Sequence, residues 1–157
     1  MEIYLLRHGI AEDARAGQSD SARALTAEGR EKLKRVLKRA KVKPALILSS
    51  PYRRALETAA VAAEVLDYSG EIVRTPALAP EAQPAGVWEE IRARRGEPSI
   101  LLASHEPLMS SLAAFLLDCP ALQVDMKKAA LVRIDCEAAA QRPNGVLKWM
   151  LTPAVTE

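Results

Sequence analysis

The sequence predicts a three-layer α/β/α sandwich built on a mostly parallel sheet. Short apolar runs at residues 2–6, 45–48 and 99–103 alternate with amphipathic helical stretches, and each run stops abruptly before a turn or helix-start signal. The pattern then changes: residues 130–135 and 146–151 read as two further strands with no helix between them. Strands feeding helices imply a parallel sheet covered on both faces, and the terminal pair adds strands at one side.

Residues 2–6 end in Arg7-His8-Gly9, which suits a buried strand emerging at the sheet edge. Residues 10–24, rich in Gly, Ser, Asp and Ala, read as a loop. Thr26 is placed to cap the first helix, with Glu28 favourable in its first turn. Leu33, Val36, Leu37 and Ala40 follow at helical spacing, so the basic residues of 30–43 form its wet face. The second strand breaks at Ser49-Ser50-Pro51, a helix start, because proline loses nothing where first-turn amides have no partner. Leu56, Ala59, Ala60 and Ala63 are expected to form the packed face of that helix, with Arg53 in solvent. Residues 71–74 suit a short third strand. Pro76, Pro80, Pro84 and Gly86 predict an irregular surface loop over 75–86. Val87, Trp88 and Ile91 begin the next helix, which Gly96-Glu97-Pro98 stops. The strand at 99–103 runs into His105-Glu106-Pro107 and a helix with Leu108, Leu112, Phe115 and Leu116 on its apolar side. Asn144-Gly145 is expected to turn the terminal strand pair. Both tryptophans, Trp88 and Trp149, sit among apolar neighbours and read as core.

At 157 residues the chain is expected to form a single domain over 1–157. A formal net charge of +2 with dispersed basic residues argues against nucleic acid or an anionic membrane as partner. Neither a secretory leader nor a membrane span is legible, which predicts a cytoplasmic protein. Cys119 and Cys136 lack metal-ligand spacing and read as buried thiols in a reducing compartment.

In open α/β sheets, ligands bind beyond the carboxyl ends of the strands. Three such loops carry chemistry here: Arg7-His8-Gly9, Ser50-Pro51-Tyr52-Arg53-Arg54, and Ser104-His105-Glu106-Pro107; they hold both histidines of the chain. If the loops meet, two imidazoles and at least two guanidiniums face one space, joined by amide protons at helix starts. That is a site for a dianion, and arginine forks match phosphate oxygens. A neutral imidazole is a competent nucleophile, so His8 can accept a phosphoryl group. Gly9 permits close approach of backbone and ligand, or a positive φ. Ser50 is placed to cap its helix or to contact phosphate.

Leu-Arg-His-Gly at residues 6–9, Ser-Ser-Pro-x-x-Arg-Ala-x-x-Thr-Ala at 49–59 and Ser-His-x-Pro-Leu at 104–108 resemble the histidine phosphatase superfamily, with its phosphoglycerate mutase-like fold. Short length and Arg-Ala-Leu-Thr-x-x-Gly at 23–29 are similar to its SixA-type phosphohistidine phosphatase branch. The resemblance implies that His8 is phosphorylated and that Arg7, Arg54 and His105 hold the phosphate, with no metal and no cofactor. It places Arg23 within reach of the substrate. Larger relatives protonate the leaving alcohol with a carboxylate from the region of 75–86, which makes Glu81 the candidate general acid and Glu12 and Asp13 weaker ones. Glu106, where many relatives have asparagine, is expected to point to solvent.

The resemblance implies hydrolysis of protein phosphohistidine or of a phosphate monoester through a covalent phosphohistidine. A small phosphorylated metabolite is the alternative substrate, and a non-catalytic phosphate-binding module the alternative class. A mutase fits less well, because returning the phosphoryl group to a second hydroxyl demands an enclosed, dry site.

Overall fold

A computed structural model describes the chain from Met1 to Glu157. Strands β1 (Glu2–Arg7), β2 (Leu46–Ser49), β3 (Ile72–Arg74) and β4 (Ser99–Ser104) alternate with helices α1 (Ala27–Ala40), α2 (Arg53–Val65), α3 (Pro84–Arg92) and α4 (Leu108–Leu116). Strands β5 (Leu131–Asp135) and β6 (Val146–Leu151) follow. They form one sheet in the order β3-β2-β4-β1-β5-β6. The first four strands are mutually parallel, while β5 and β6 are antiparallel to their neighbours.

Successive side chains of a strand point to opposite faces, and here both faces are apolar. Ile3, Leu5, Leu48, Ile100 and Leu102 meet Trp88, Ile91, Leu108 and Leu112 of α3 and α4 on one side. Tyr4, Leu6, Ile47, Leu101 and Ala103 meet Leu33, Leu37, Ala59 and Ala62 of α1 and α2 on the other. Burying each large aliphatic side chain contributes about 1.5–3 kcal/mol, so a sheet apolar on both faces is stable only between two helical layers. No helix is long and apolar enough to cross a membrane.

Helix α1 starts as its sequence implies: the Thr26 hydroxyl accepts from the Gly29 amide at 3.0 Å. It ends at Lys41, which has a positive φ of 52°. The loop leaving β1 lies on its first turn so closely that a Cβ on Gly29 would sit 2.3 Å from the Ile10 carbonyl oxygen. A Cβ on Gly9 would meet Leu33 Cδ1 at 2.8 Å, whereas the positive-φ glycine of the chain is Gly17. Gly9 therefore serves close packing and not a left-handed turn.

Several expectations are corrected. The inner face of α2 is Arg54, Ala55, Thr58, Ala59, Val61 and Ala62, with Ala60 exposed, because Arg54 turns inward and sets the phase of the helix. Region 75–86 is not wholly irregular or superficial. Pro76–Leu78 form a 3-10 turn, Leu78 is buried, and α3 begins at Pro84, since proline is well suited to a first helical turn. Asn144-Gly145 does not close a tight hairpin; residues 136–145 connect β5 to β6, and the Gly145 amide donates to the Leu116 carbonyl at 2.7 Å. Cys136 is buried as expected, but Cys119 is exposed just beyond α4. Trp88 is core, while Trp149 is half-buried against Tyr4.

Gly29→Ala tests the fit of loop on helix. Propensity alone would make alanine stabilising by about 1 kcal/mol in a helix. The Ile10 contact reverses the sign, and urea unfolding is expected to show a loss of about 1–3 kcal/mol.

Candidate active site

Strand register levels the reactive residues. Arg7 of β1 pairs with Ser104 of β4, and Ser49 of β2 with Ala103. The next residue of each strand, His8, His105 and Ser50, leaves the sheet at the same edge. Backbone bonds hold this step, from the His8 amide to the Ser104 carbonyl at 2.9 Å and from the Ser50 amide to the Ala103 carbonyl at 3.0 Å. The two imidazole rings stand 5.2 Å apart between centroids. All three side chains are buried.

His8 is held in one tautomer. Its Nδ1 lies 2.7 Å from the Gly9 carbonyl, which can only accept, so Nδ1 carries the proton. The lone pair is left on Nε2, where Arg54 Nε–H donates to it at 3.3 Å. Burial, followed by the charges of Arg54, Arg7 and Lys128, outweighs the Gly9 bond and pushes the His8 pKa down to about 4. His105 is pushed down to about 3 by burial, then by His8 and Arg54. Two neutral rings thus stand beside fixed guanidinium charge.

Arg54, only 5% exposed, reaches this place from the first turn of α2. Besides His8 it donates to the Asp20 carbonyl at 2.8 Å and to the Asp20 carboxylate at 3.1 Å. Its guanidinium lies over the Tyr52 ring, and that ring meets His105 edge-on. Thr58, one helical turn on, donates to the Arg54 carbonyl at 2.7 Å and accepts from the Gly9 amide at 3.2 Å. It ties α2 to the His8 loop.

The other residues singled out above fall as follows. Ser50 Oγ accepts from the Tyr52 amide at 3.2 Å and lies 2.8 Å from His105 Nε2, so it touches the pocket but does not cap its helix: Tyr52 is the N-cap residue of α2, which has no side-chain cap hydrogen bond. His105 Nδ1 is buried without a partner. Arg7 donates through one terminal nitrogen to the Met126 carbonyl at 2.8 Å, and its Nε has no partner. Arg23 donates to the Asp20 carboxylate at 2.9 Å and to the Glu12 carbonyl at 2.9 Å. Glu81 is exposed and forms no hydrogen bond or ion pair with these groups. Glu12 pairs with Arg15, and Asp13 is exposed. Glu106 does not simply point to solvent: its Oε1 accepts from the Ser110 amide at 2.7 Å, bracing the start of α4. Arg53 is exposed beside Glu57, as expected.

Three participants escaped the sequence reading: Asp20, Thr58 and Tyr52. Asp20 is the carboxylate at the pocket, bridging Arg54 and Arg23. Although partial burial works against it, hydrogen bonds from Arg23 and Arg54 hold its carboxyl below the usual range. Its spacing of three residues before Arg23 was the available signal, since a single 3-10 turn, Asp20–Ala22, brings the two together. No three His, Cys, Asp or Glu side chains converge as a metal-ligating cluster.

In comparisons with known proteins, the model of the histidine phosphatase superfamily (branch 1) matches residues 3–80. Phosphohistidine phosphatase SixA of Escherichia coli (strain K12) is 30% identical over 166 residues, spanning 98% of this chain and 94% of that protein. The solved structure of the protein histidine phosphatase SixA complexed with tungstate is similar with a TM-score of 0.86, at 29% identity and 100% coverage of both chains. A mycobacterial glucosyl-3-phosphoglycerate phosphatase shares the fold with a TM-score of 0.68, at 17% identity over 94% of this chain and 96% of that one.

The buried neutral rings predict a distinct stability profile. His8 and His105 are the only histidines. Unfolded histidine takes up a proton near pH ~6.5, whereas the folded rings resist until about 4 and about 3. Stability from this source is complete above the unfolded value and is lost as the pH falls from there through about 4 for His8 and about 3 for His105. Urea unfolding at pH 4.5 is expected to give a free energy lower than at pH 7.5 by on the order of 3–5 kcal/mol. The drop should shrink in the His8→Gln, His105→Gln chain; an equal drop in both would assign it to other groups.

Proposed function

Because the chain belongs to the histidine phosphatase superfamily and shares its phosphatase activity, we propose that it hydrolyses protein phosphohistidine through a phosphoryl group carried on His8, without a metal. The observation that carries this reading is the pinned tautomer of His8, with Nε2 holding its lone pair beside Arg54. A low pKa keeps that lone pair available across the physiological range. The relative bound to tungstate supports an oxyanion here, because tungstate is tetrahedral like phosphate.

In the first step the Nε2 lone pair attacks phosphorus, and the bond from phosphorus to the leaving nitrogen breaks with its electron pair going to that nitrogen, so that the substrate ring, protonated on its other nitrogen, departs as neutral imidazole. Arg54 and Arg7 face the charge on the phosphoryl oxygens, where fixed, preorganised donors are worth most. Ser50, already accepting from Tyr52, has its hydroxyl proton free for His105 Nε2. That leaves a proton on His105 Nδ1, the unpartnered nitrogen, to donate to a phosphoryl oxygen. In the second step water attacks phosphorus, the bond to Nε2 breaks, its electron pair returns to the ring, and phosphate departs with the proton released by water.

The leaving group favours phosphohistidine over an alkyl phosphate. An imidazole is far less basic than an alkoxide and needs little help from a strong acid. The carboxylate at the pocket is Asp20, which its bonds to Arg23 and Arg54 hold ionised. A phosphate monoester on the same pocket is the second reading, in which Glu81 would have to reach the leaving oxygen from its exposed loop.

Turnover of a phosphohistidine peptide and of p-nitrophenyl phosphate in EDTA tests the proposal. Both activities are expected to survive EDTA and to fall at least about 10³-fold in His8→Ala, with Arg54→Ala losing about 10²–10³-fold. Rapid alkaline quench should trap acid-labile, base-stable label on residue 8. Label on another residue, or activity only after adding a divalent cation, would overturn the mechanism. Strong preference for a sugar phosphate would reassign the substrate and leave the His8 chemistry standing.

A further inference from the structure

Beside the phosphate pocket, and bordered by the same Arg7, lies a cleft of about 590 Å³. Lys32 of α1, Lys127 and Lys128 line it with Arg7, and the segment after β6 closes the far wall with Glu157. Four cations thus face one carboxylate in a chain whose formal charge is only +2. Existing pairings leave much of this charge available. Lys127 touches Asp125 at 2.8 Å in an exposed and so weak pair, Lys32, half-buried, touches an exposed Glu28 at 3.0 Å, and Lys128 has no ion pair. Glu157 lies 3.9 Å from Arg35.

Lys127 and Lys128 are held in place by the catalytic loop itself. On one side of the pair, the Met126 carbonyl accepts from Arg7; on the other, the Ala129 amide donates to the His8 carbonyl at 3.2 Å. Ala129 makes this connection at a positive φ of 65°, a left-handed conformation that residues with a Cβ rarely adopt. Lys128 is close enough for its charge to be felt at His8. A positively charged recess is therefore fixed at a set distance from the reacting nitrogen.

We propose that this cleft docks an acidic stretch of the phosphorylated protein adjoining its phosphohistidine, so that Asp and Glu near the phosphorylated side chain select the substrate. The inference rests on the phosphohistidine reading above. The recess extends beyond the phosphate pocket to the C-terminal segment, which suits a flanking polypeptide, and its charge complements carboxylates.

The test compares phosphohistidine peptides with acidic or neutral flanks, phosphoimidazole, and a sugar bisphosphate. At 50 mM NaCl the wild type is expected to favour the acidic peptide about tenfold in kcat/KM, the gap closing by 300 mM as salt screens the cleft. Lys32→Glu with Lys127→Glu should abolish the gap while phosphoimidazole and the neutral peptide stay within about twofold; Lys32→Gln with Lys127→Gln should lie between. Thermal melts verify folding, and the wild-type salt response stands without any variant. Equal turnover of both peptides by wild type, or a gap that survives the substitutions, overturns the docking inference while leaving the phosphatase intact. A loss confined to the sugar bisphosphate assigns the cleft to a small molecule and overturns it too. A wild type inactive on every phosphohistidine peptide removes the function beneath it.

Discussion

The parallel pairing of β1 with β4 and of β4 with β2 is the constraint on which the rest depends. Parallel neighbours run in the same direction, so their carboxyl ends reach one edge together, and the register sets which residues leave it side by side. Arg7 opposite Ser104 makes His8 and His105 neighbours although they lie 97 positions apart in the chain. A slip of one residue would also send each apolar side chain of β1 and β4 to the opposite helical layer, away from the neighbours it is packed against. The two hydrophobic layers that stabilise the sheet therefore enforce the geometry of the pocket. Stability and site share one structural cause.

Burial gives that geometry its chemical character. In water, imidazoles beside guanidiniums would be screened and partly protonated. Here they are withdrawn from solvent, remain neutral, and face guanidinium charge at short range. The cost is borne by an unusual number of side chains serving one arginine. Asp20 anchors the far side of Arg54, Tyr52 lies under its plane, and Thr58 holds its backbone against the His8 loop. An arginine so supported loses little entropy when it meets an oxyanion, which on the proposed chemistry is the moment it matters.

The layers and the strand-to-helix order were legible because apolar periodicity reports directly on which faces are buried. His8, Arg54, Ser50 and His105 were legible because short polar sequences at strand ends stand out against apolar runs, and they converge as expected. The remainder depended on tertiary context. Arg54 turns inward only because His8 and Asp20 wait there, so the phase of α2 could not be read from its alanines. Asp20 lies in a loop with no period, and its role exists only once α2 is docked. Residues 75–86 show the same effect: proline content marked a boundary, yet Leu78 is buried because Ser104 donates to its carbonyl at 2.6 Å, fastening the turn to the end of β4. Cys119 lies outside because Asp118, at a positive φ of 50°, turns the chain away from the end of α4.

Asp20 gives the pocket a resident counter-ion. Anchoring the far side of Arg54, its carboxylate already compensates part of the Arg54 and Arg23 charge, so on the proposed chemistry an incoming phosphate meets partly neutralised guanidiniums. On that chemistry, such compensation trims affinity for every phosphate alike, free product included. Inorganic phosphate is then retained less tightly, and binding strength is reserved for the moment when charge on the transferring group is redistributed. A pocket built only of cations would attract its ligand more strongly and release it more slowly; this one tempers its own attraction.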